Sequence, residues 1–190
     1  MRKFLLSVSL AGVVLGADTP YWVAPCTNPE TGCVTGDIQL ARWAFDAWQK
    51  ASGGRLHFTV VENRADAVIR LVWATPAEGL YGETVPLEIN GRRGAQINVR
   101  IVDPGGNDGL LRDTIVYLTC LHESGHALGL GHTQNFDDIM YSFQYGGNIP
   151  EYFLRYRRKL ENRGDIQKNS GISPFDRAHL IESIGKTQGR

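Results

Sequence analysis

The chain has 190 residues, of which 42% are hydrophobic and 21% are charged. These fractions are ordinary for a globular protein, and a chain of this length can bury a core without a structural metal, so we expect one domain. Lysine and arginine together number 20, as do aspartate and glutamate. This balance gives no indication of a nucleic-acid partner or of an anionic membrane surface.

The first residues have the pattern of a secretory signal peptide. Two basic residues at positions 2–3 precede a short apolar run over residues 4–15, which ends in small side chains. The run is shorter than the roughly 20 apolar residues of a transmembrane helix, and a buried N-terminal helix is the alternative. We therefore expect removal of residues 1–17. Residues 18–190 would then be secreted or extracytoplasmic, without a membrane span, and monomeric.

Three cysteines remain after that cleavage. Cys26 and Cys33 lie close together in a stretch rich in proline, asparagine and glycine. An oxidising compartment would allow a local disulfide between them. Cys120 is left over and is interpreted as a buried free thiol that packs as a small apolar residue.

The first half of the chain predicts one helix followed by strands. Apolar residues at helical spacing predict a helix over Thr35–Ala51. Alternating apolar and polar residues predict strands, which we place at residues 56–60, 67–73 and 95–101. Residues 79–89 form a looser extended segment, and Pro86 favours an edge position for it. A turn is expected at residues 91–94.

The second half is mainly helical. A run of turn-forming residues at 103–109 precedes a predicted helix over residues 114–128, with Asp113 as its cap. Two more helices are predicted at residues 150–162 and 174–184, the last one capped by Ser173 and stopped by Gly185. Strands followed by helices in this order indicate an α+β domain.

Three of the five histidines lie in one segment, His-Glu-Ser-Gly-His-Ala-Leu-Gly-Leu-Gly-His, at residues 122–132. On a helix, His122 and His126 lie one turn apart on one face and can share a metal ion. Gly129 can end the helix in a left-handed conformation and turn the chain back, so that His132 approaches the same ion. Three protein ligands with a fourth position left for water are typical of catalytic zinc.

Glu123 adjoins the first ligand and is placed to act as a general base. Zinc lowers the pKa of its bound water toward about 7, and a nearby carboxylate can then accept the proton of that water. The reaction would then be metal-assisted hydrolysis of an amide bond. The alternative interpretation is that these histidines simply lie on a helix surface and bind no metal, and the extended motif disfavours it.

The extended motif, with Met140 shortly after it, resembles the signature of metzincin metallopeptidases. The Ala-Leu-Gly-Leu-Gly-His context and the Met140-Tyr141 pair are similar to the matrixins, and the weaker resemblance extends over most of residues 21–185. The resemblance implies a metzincin-like zincin fold: a twisted mixed β-sheet, two long helices and a small helical C-terminal subdomain. The upper subdomain of the catalytic domain would run to about residue 131, and the lower one over residues 132–190.

The same resemblance implies roles for further residues. Met140 would form an apolar floor beneath the zinc ligands, and Tyr141 would form a wall of the pocket for a substrate side chain. Leu80, Tyr81 and Gly82 would belong to an edge strand that pairs with an extended protein or peptide substrate. No histidine lies between His57 and His122, so the structural zinc of matrixins is not expected and we predict one zinc per chain.

Several alternatives stay open. Residues 103–109 could hold calcium, but a plain turn is the favoured interpretation. The basic residues of the 150–162 helix could favour acidic substrates or could simply be a solvated face. A catalytically silent zinc-binding protein on the same fold would explain the histidines but would not need Glu123. A zinc hydrolase of a small amide is the other rival.

Overall fold

A computed structural model describes residues 18–77 and 81–188, so the predicted signal peptide lies outside the described residues. It contains a five-stranded sheet and four α-helices. The strands are β1 (Thr19–Val23), β2 (Phe58–Val60), β3 (Ile69–Ala74), β4 (Gly82–Ile89) and β5 (Arg92–Arg100). The helices are α1 (Thr35–Ala51), α2 (Gly109–Ala127), α3 (Ile149–Arg157) and α4 (Pro174–Gln188).

The sheet has the strand order β2-β1-β3-β5-β4. All neighbours are parallel except β4, which runs antiparallel to β5 and forms one edge. Asn90 and Gly91 join these two strands with φ angles of 52° and 72°, the left-handed conformations of a tight hairpin turn. The turn predicted at residues 91–94 is therefore wrong in extent, because β5 already begins at Arg92.

The core lies between the sheet and the two long helices, which also pack against each other. Alternate residues of β3 and β5, such as Ile69 and Ile97, are fully buried, and so are Phe45 and Trp48 of α1. The indole Nε1 of Trp48 donates to the Leu121 carbonyl oxygen at 2.9 Å. This bond joins α1 to α2 one residue before the histidine motif.

The helix boundaries differ from the predicted ones by more than one residue at three places. α2 begins at Gly109, because Asp108 and not Asp113 accepts hydrogen bonds from the first backbone N–H groups, at 3.0 and 3.1 Å. α3 ends at Arg157, five residues earlier than predicted. α4 continues past Gly185, because a glycine with ordinary helical backbone weakens a helix without necessarily ending it.

The states of the three cysteines agree with the sequence-based expectation. Cys26 and Cys33 are joined by a disulfide in the loop between β1 and α1, and Cys120 is a buried free thiol in α2. Within the described ranges, no helix combines the length and the apolar character that crossing a bilayer requires. The mixed sheet and four helices are compatible with a metzincin-like arrangement.

Candidate active site

Three histidines converge at the C-terminal end of α2. The Nε2 atom of His126 lies 3.1 Å from the Nε2 atoms of both His122 and His132. Burial lowers the pKa of His122 and that of His126 to about 4, and it also lowers the pKa of His132. Neutral imidazoles are the form that binds metal ions, so burial favours the ligand state of all three.

The end of α2 brings the third histidine to the other two. Gly129 has a φ of 85°. The N–H groups of Gly129 and Leu130 donate to the carbonyl oxygens of His126 and Gly125, at 2.9 and 3.0 Å. This pair of bonds is a Schellman motif. It turns the chain out of the helix, so His132 belongs to a separate segment that faces the helical histidines.

The hydrogen bonds of the imidazoles favour a bound cation. His122 Nδ1 lies 2.7 Å from the Ile139 carbonyl oxygen, and His126 Nδ1 lies 2.8 Å from that of Leu130. Because a carbonyl only accepts, each Nδ1 carries the hydrogen and each Nε2 presents a lone pair. A tetrahedral zinc ion about 2.0–2.1 Å from each nitrogen would separate its ligand atoms by about 3.3 Å, close to the spacing here. The donor set therefore fits a zinc ion.

Glu123 lies beside the histidines and is only 6% exposed. The Thr84 hydroxyl lies 2.7 Å from Glu123 Oε2 and is placed to donate to it. Burial raises the pKa of the Glu123 carboxyl, while the Thr84 hydrogen bond opposes that rise. A buried carboxylate with a raised pKa, next to a metal site, is suited to accept a proton from water.

The histidines and Glu123 open into a cavity of about 450 Å³. Its other walls come from the edge strand β4, from α2, and from the segment between Tyr141 and α3. They include Tyr81, Gly82, Thr84, Leu118, Thr119, Tyr141, Phe143, Tyr152 and Phe153. Most of these side chains are apolar or aromatic, so the cavity suits an apolar group placed beside the carboxylate and the metal ligands.

Met140 lies behind the histidines and is fully buried. A Cβ added to Gly125 would lie 2.4 Å from Met140 Sδ, so the sulfur packs directly against α2 between the two helical histidines. Asp176 of α4 accepts hydrogen bonds from the N–H groups of Ile139, at 2.8 Å, and of Met140, at 3.3 Å. α4 therefore fixes the turn that supports the three histidines.

The structure brings together most of the residues that the sequence singled out. Tyr81, Gly82 and Tyr141 line the same cavity as the histidines and Glu123. Leu80 lies outside the described residues. Sequence reasoning missed Thr84 and Asp176, since neither has a motif or spacing that relates it to residues 122–132.

The arginines of α3 and of its C-terminal cap pair with acidic residues of the same chain. Arg155, Arg157 and Arg158 form ion pairs with Asp137, Asp108 and Glu151 at 2.6, 3.0 and 2.6 Å. These pairs leave little support for a preference of this helix for acidic substrates. In the 103–109 loop, Asp103 accepts from the Gly105 N–H and Asp108 caps α2, which are the ordinary roles of aspartate in turns.

The family model for matrixins of peptidase family M10 matches residues 107–154. The match includes α2, all three histidines, Glu123 and Met140. No curated protein matches the chain. The matched segment supports a matrixin-like relationship, suggests a zinc metallopeptidase and implies zinc as the metal of the three histidines.

Proposed function

We propose that this chain is a secreted zinc-dependent endopeptidase that uses Glu123 as its general base. One observation carries the proposal: Glu123 and the three histidines line one cavity, which is bordered by β4, the edge strand of the sheet among the described residues. A protein that only stores or senses zinc has no need of a buried carboxylate at this position.

In this proposal His122, His126 and His132 hold one zinc ion. When bound, zinc supplies a Lewis acid that lowers the pKa of water and polarises a carbonyl oxygen. Glu123 accepts the proton that water loses and delivers it to the departing amine nitrogen. The walls around the carboxylate leave Glu123 only 6% exposed, and this burial strengthens its electrostatic interactions.

The edge strand supports a polypeptide substrate. The Arg100 N–H of β5 donates to the Tyr81 carbonyl oxygen at 2.8 Å. Because backbone groups of a strand alternate in direction, those of Gly82 and Thr84 point away from β5, toward the outer side of β4. An extended peptide can add to this edge through main-chain hydrogen bonds, beside Glu123. A small amide would gain nothing from such an edge.

The cavity would receive one side chain of that substrate. Leu118 and Thr119 of α2 form one wall, and Tyr141, Phe143 and Phe153 contribute aromatic surface. We therefore expect cleavage next to an apolar residue, with little demand on the rest of the sequence.

The test is cleavage of a generic unfolded protein by the zinc-loaded chain, produced from residue 18. Glu123→Gln keeps the size and removes the base, and Glu62→Gln, at an exposed position remote from the histidine motif in sequence, is the matched control. We expect cleavage by the wild type and the control, and a loss of about 10²-fold or more for Glu123→Gln. A chelated sample should also be inactive.

Two results would redirect the assignment. A zinc-loaded wild type that cuts no peptide would favour the binding-protein or small-amide alternative. Full activity of Glu123→Gln would remove the proposed base while leaving the metal site intact. Export is tested separately, by the N-terminal sequence of the protein recovered outside the producing cell.

A further inference from the structure

Thr84 of β4 reaches across to the catalytic helix. Its Oγ1 atom lies 2.7 Å from Glu123 Oε2 and 2.9 Å from the Glu123 carbonyl oxygen. The two residues are 39 positions apart in sequence. They meet because β4 pairs with β5 and α2 packs against both strands. The Thr84 side chain therefore contacts both the functional carboxylate and the backbone that carries it.

The Thr84 hydroxyl can donate a hydrogen bond to Glu123 whether or not the carboxyl group carries a proton. It has one hydrogen and therefore donates to only one of the two oxygens at a time. When Glu123 is a carboxylate, the hydroxyl donates to Oε2. When Oε1 has taken up a proton, the hydroxyl can still donate to Oε2. The contact therefore survives both protonation states with no movement of heavy atoms.

The strand also limits where the carboxylate can lie. A Cβ at Gly82 would be 2.7 Å from Glu123 Cγ and 2.9 Å from Oε1, so only a glycine there leaves room for the side chain. Among the described residues, the hydrogen bonds of this carboxylate are confined to Oε2. Oε1 is left to accept a proton from a water in the cavity.

We propose that Thr84 is a positioning residue, which holds Glu123 by Oε2 and leaves Oε1 for the proton transfer. The inference rests on the proposed role of Glu123 as base. A side chain held in one place before reaction costs no reorganisation during it, so loss of the hydroxyl should lower the rate of the chemical step more than substrate binding.

The test compares Thr84→Val, which keeps the branched shape and strand propensity, with Thr84→Ser, which keeps the hydroxyl. Thr59→Val, at an exposed position of β2, is the matched control. Zinc content and Tm establish that each variant is folded and loaded. We expect kcat of Thr84→Val on a fluorogenic peptide to fall about tenfold, part of what a general base contributes, with KM little changed. Thr84→Ser should recover most of kcat.

A second readout does not depend on turnover. A peptide hydroxamic acid binds zinc and donates a hydrogen bond to a neighbouring carboxylate, so its affinity reports where Glu123 lies. Calorimetry should show weaker binding to Thr84→Val than to the wild type. In a Glu123→Gln background Thr84→Val should add no further loss, because residues that act as a unit are not additive.

These results distinguish the positioning role of Thr84 from the proposed role of Glu123 as the base. Unchanged kcat and unchanged hydroxamate affinity of Thr84→Val would overturn the positioning role, even if Glu123→Gln proves Glu123 essential. Equal defects of Thr84→Val and Thr84→Ser would overturn it too, since the methyl contact would then be responsible. If the wild type cuts no peptide, the proposed function fails, and the double-variant binding data still decide whether Thr84 acts through Glu123.

Discussion

The carboxylate of Asp37 is fully buried and receives two hydrogen bonds from the Arg112 guanidinium, each 2.8 Å long. Asp37 lies in the first turn of α1 and Arg112 in the first turn of α2. The same carboxylate accepts from the Val34 N–H at the start of α1. One ion pair therefore joins the N-terminal ends of the two long helices that pack against each other.

We expect Arg112→Met to destabilise the fold by about 3 kcal/mol, because it leaves a buried carboxylate without its charge partner. Arg158→Met is the control, since Arg158 and Glu151 are paired at the surface, where ion pairs contribute little. Urea unfolding measures both. Equal urea midpoints for the two variants would show that the buried pair contributes no more to the free energy of unfolding than the exposed pair.

The packing of Gly125 against Met140 predicts a second effect on stability. Gly125→Ala would place a Cβ 2.4 Å from Met140 Sδ and 3.0 Å from Trp48 Cζ2. Overpacking of this kind costs about 1–3 kcal/mol, so we expect a lower Tm. Gly185→Ala is the control, because it is also in a helix but meets nothing within 4 Å. A Tm of Gly125→Ala at or above that of the wild type would contradict the packing.

Removal of the metal should lower stability, because a zinc ion held by the three histidines would bind the folded site and not the unfolded chain. Free zinc at a hundred times its Kd adds about 2.7 kcal/mol. We expect metal analysis to return one zinc per chain, and a chelator to lower Tm reversibly. His132→Ala should lose both effects, whereas His57→Ala, an exposed histidine beside Asp18, should keep them. Two zinc ions per chain would refute the prediction.

Gly82→Ala should impair activity and leave the fold intact. The added Cβ meets Glu123 Cγ at 2.7 Å and the carboxyl group at 2.9 and 3.0 Å. A flexible side chain can move away from this contact, so we expect an unchanged Tm and zinc content, with kcat lower by about tenfold. Gly109→Ala meets nothing within 4 Å and should retain full activity. Wild-type kcat in Gly82→Ala would mean that Glu123 needs no space at this position.

Local patterns in the sequence predicted the cluster of three histidines, because its members are close in sequence. His122 and His126 are related by one helical turn, and Gly129 supplies the break that His132 needs, so the cluster could be read from spacing. α1 was predicted with its observed bounds for the same reason, since its apolar stripe is regular. The start of α2 was misplaced because two aspartates, Asp108 and Asp113, compete as caps and only tertiary context decides.

Contacts between distant segments could not be predicted. Thr84 meets Glu123 only because β4 pairs with β5 in a particular register and α2 packs beside that edge. Asp176 reaches the Met140 turn from the last helix in the same way. β1 was missed altogether, because five residues next to a signal-like segment give too short a pattern.

The position of Pro86 limits what the edge of β4 can do. Gly82, Thr84, Pro86 and Glu88 alternate with the residues that bond to β5, so their backbone groups share the outer side. A proline has no N–H, so the row of outward donors is interrupted between Thr84 and Glu88. A second copy of this chain therefore cannot form a continuous ladder of hydrogen bonds along the whole strand, which protects the protein from edge-to-edge aggregation. The donors of Gly82 and Thr84 lie before this interruption and beside Glu123, where, under the proposed function, they would align a peptide for cleavage.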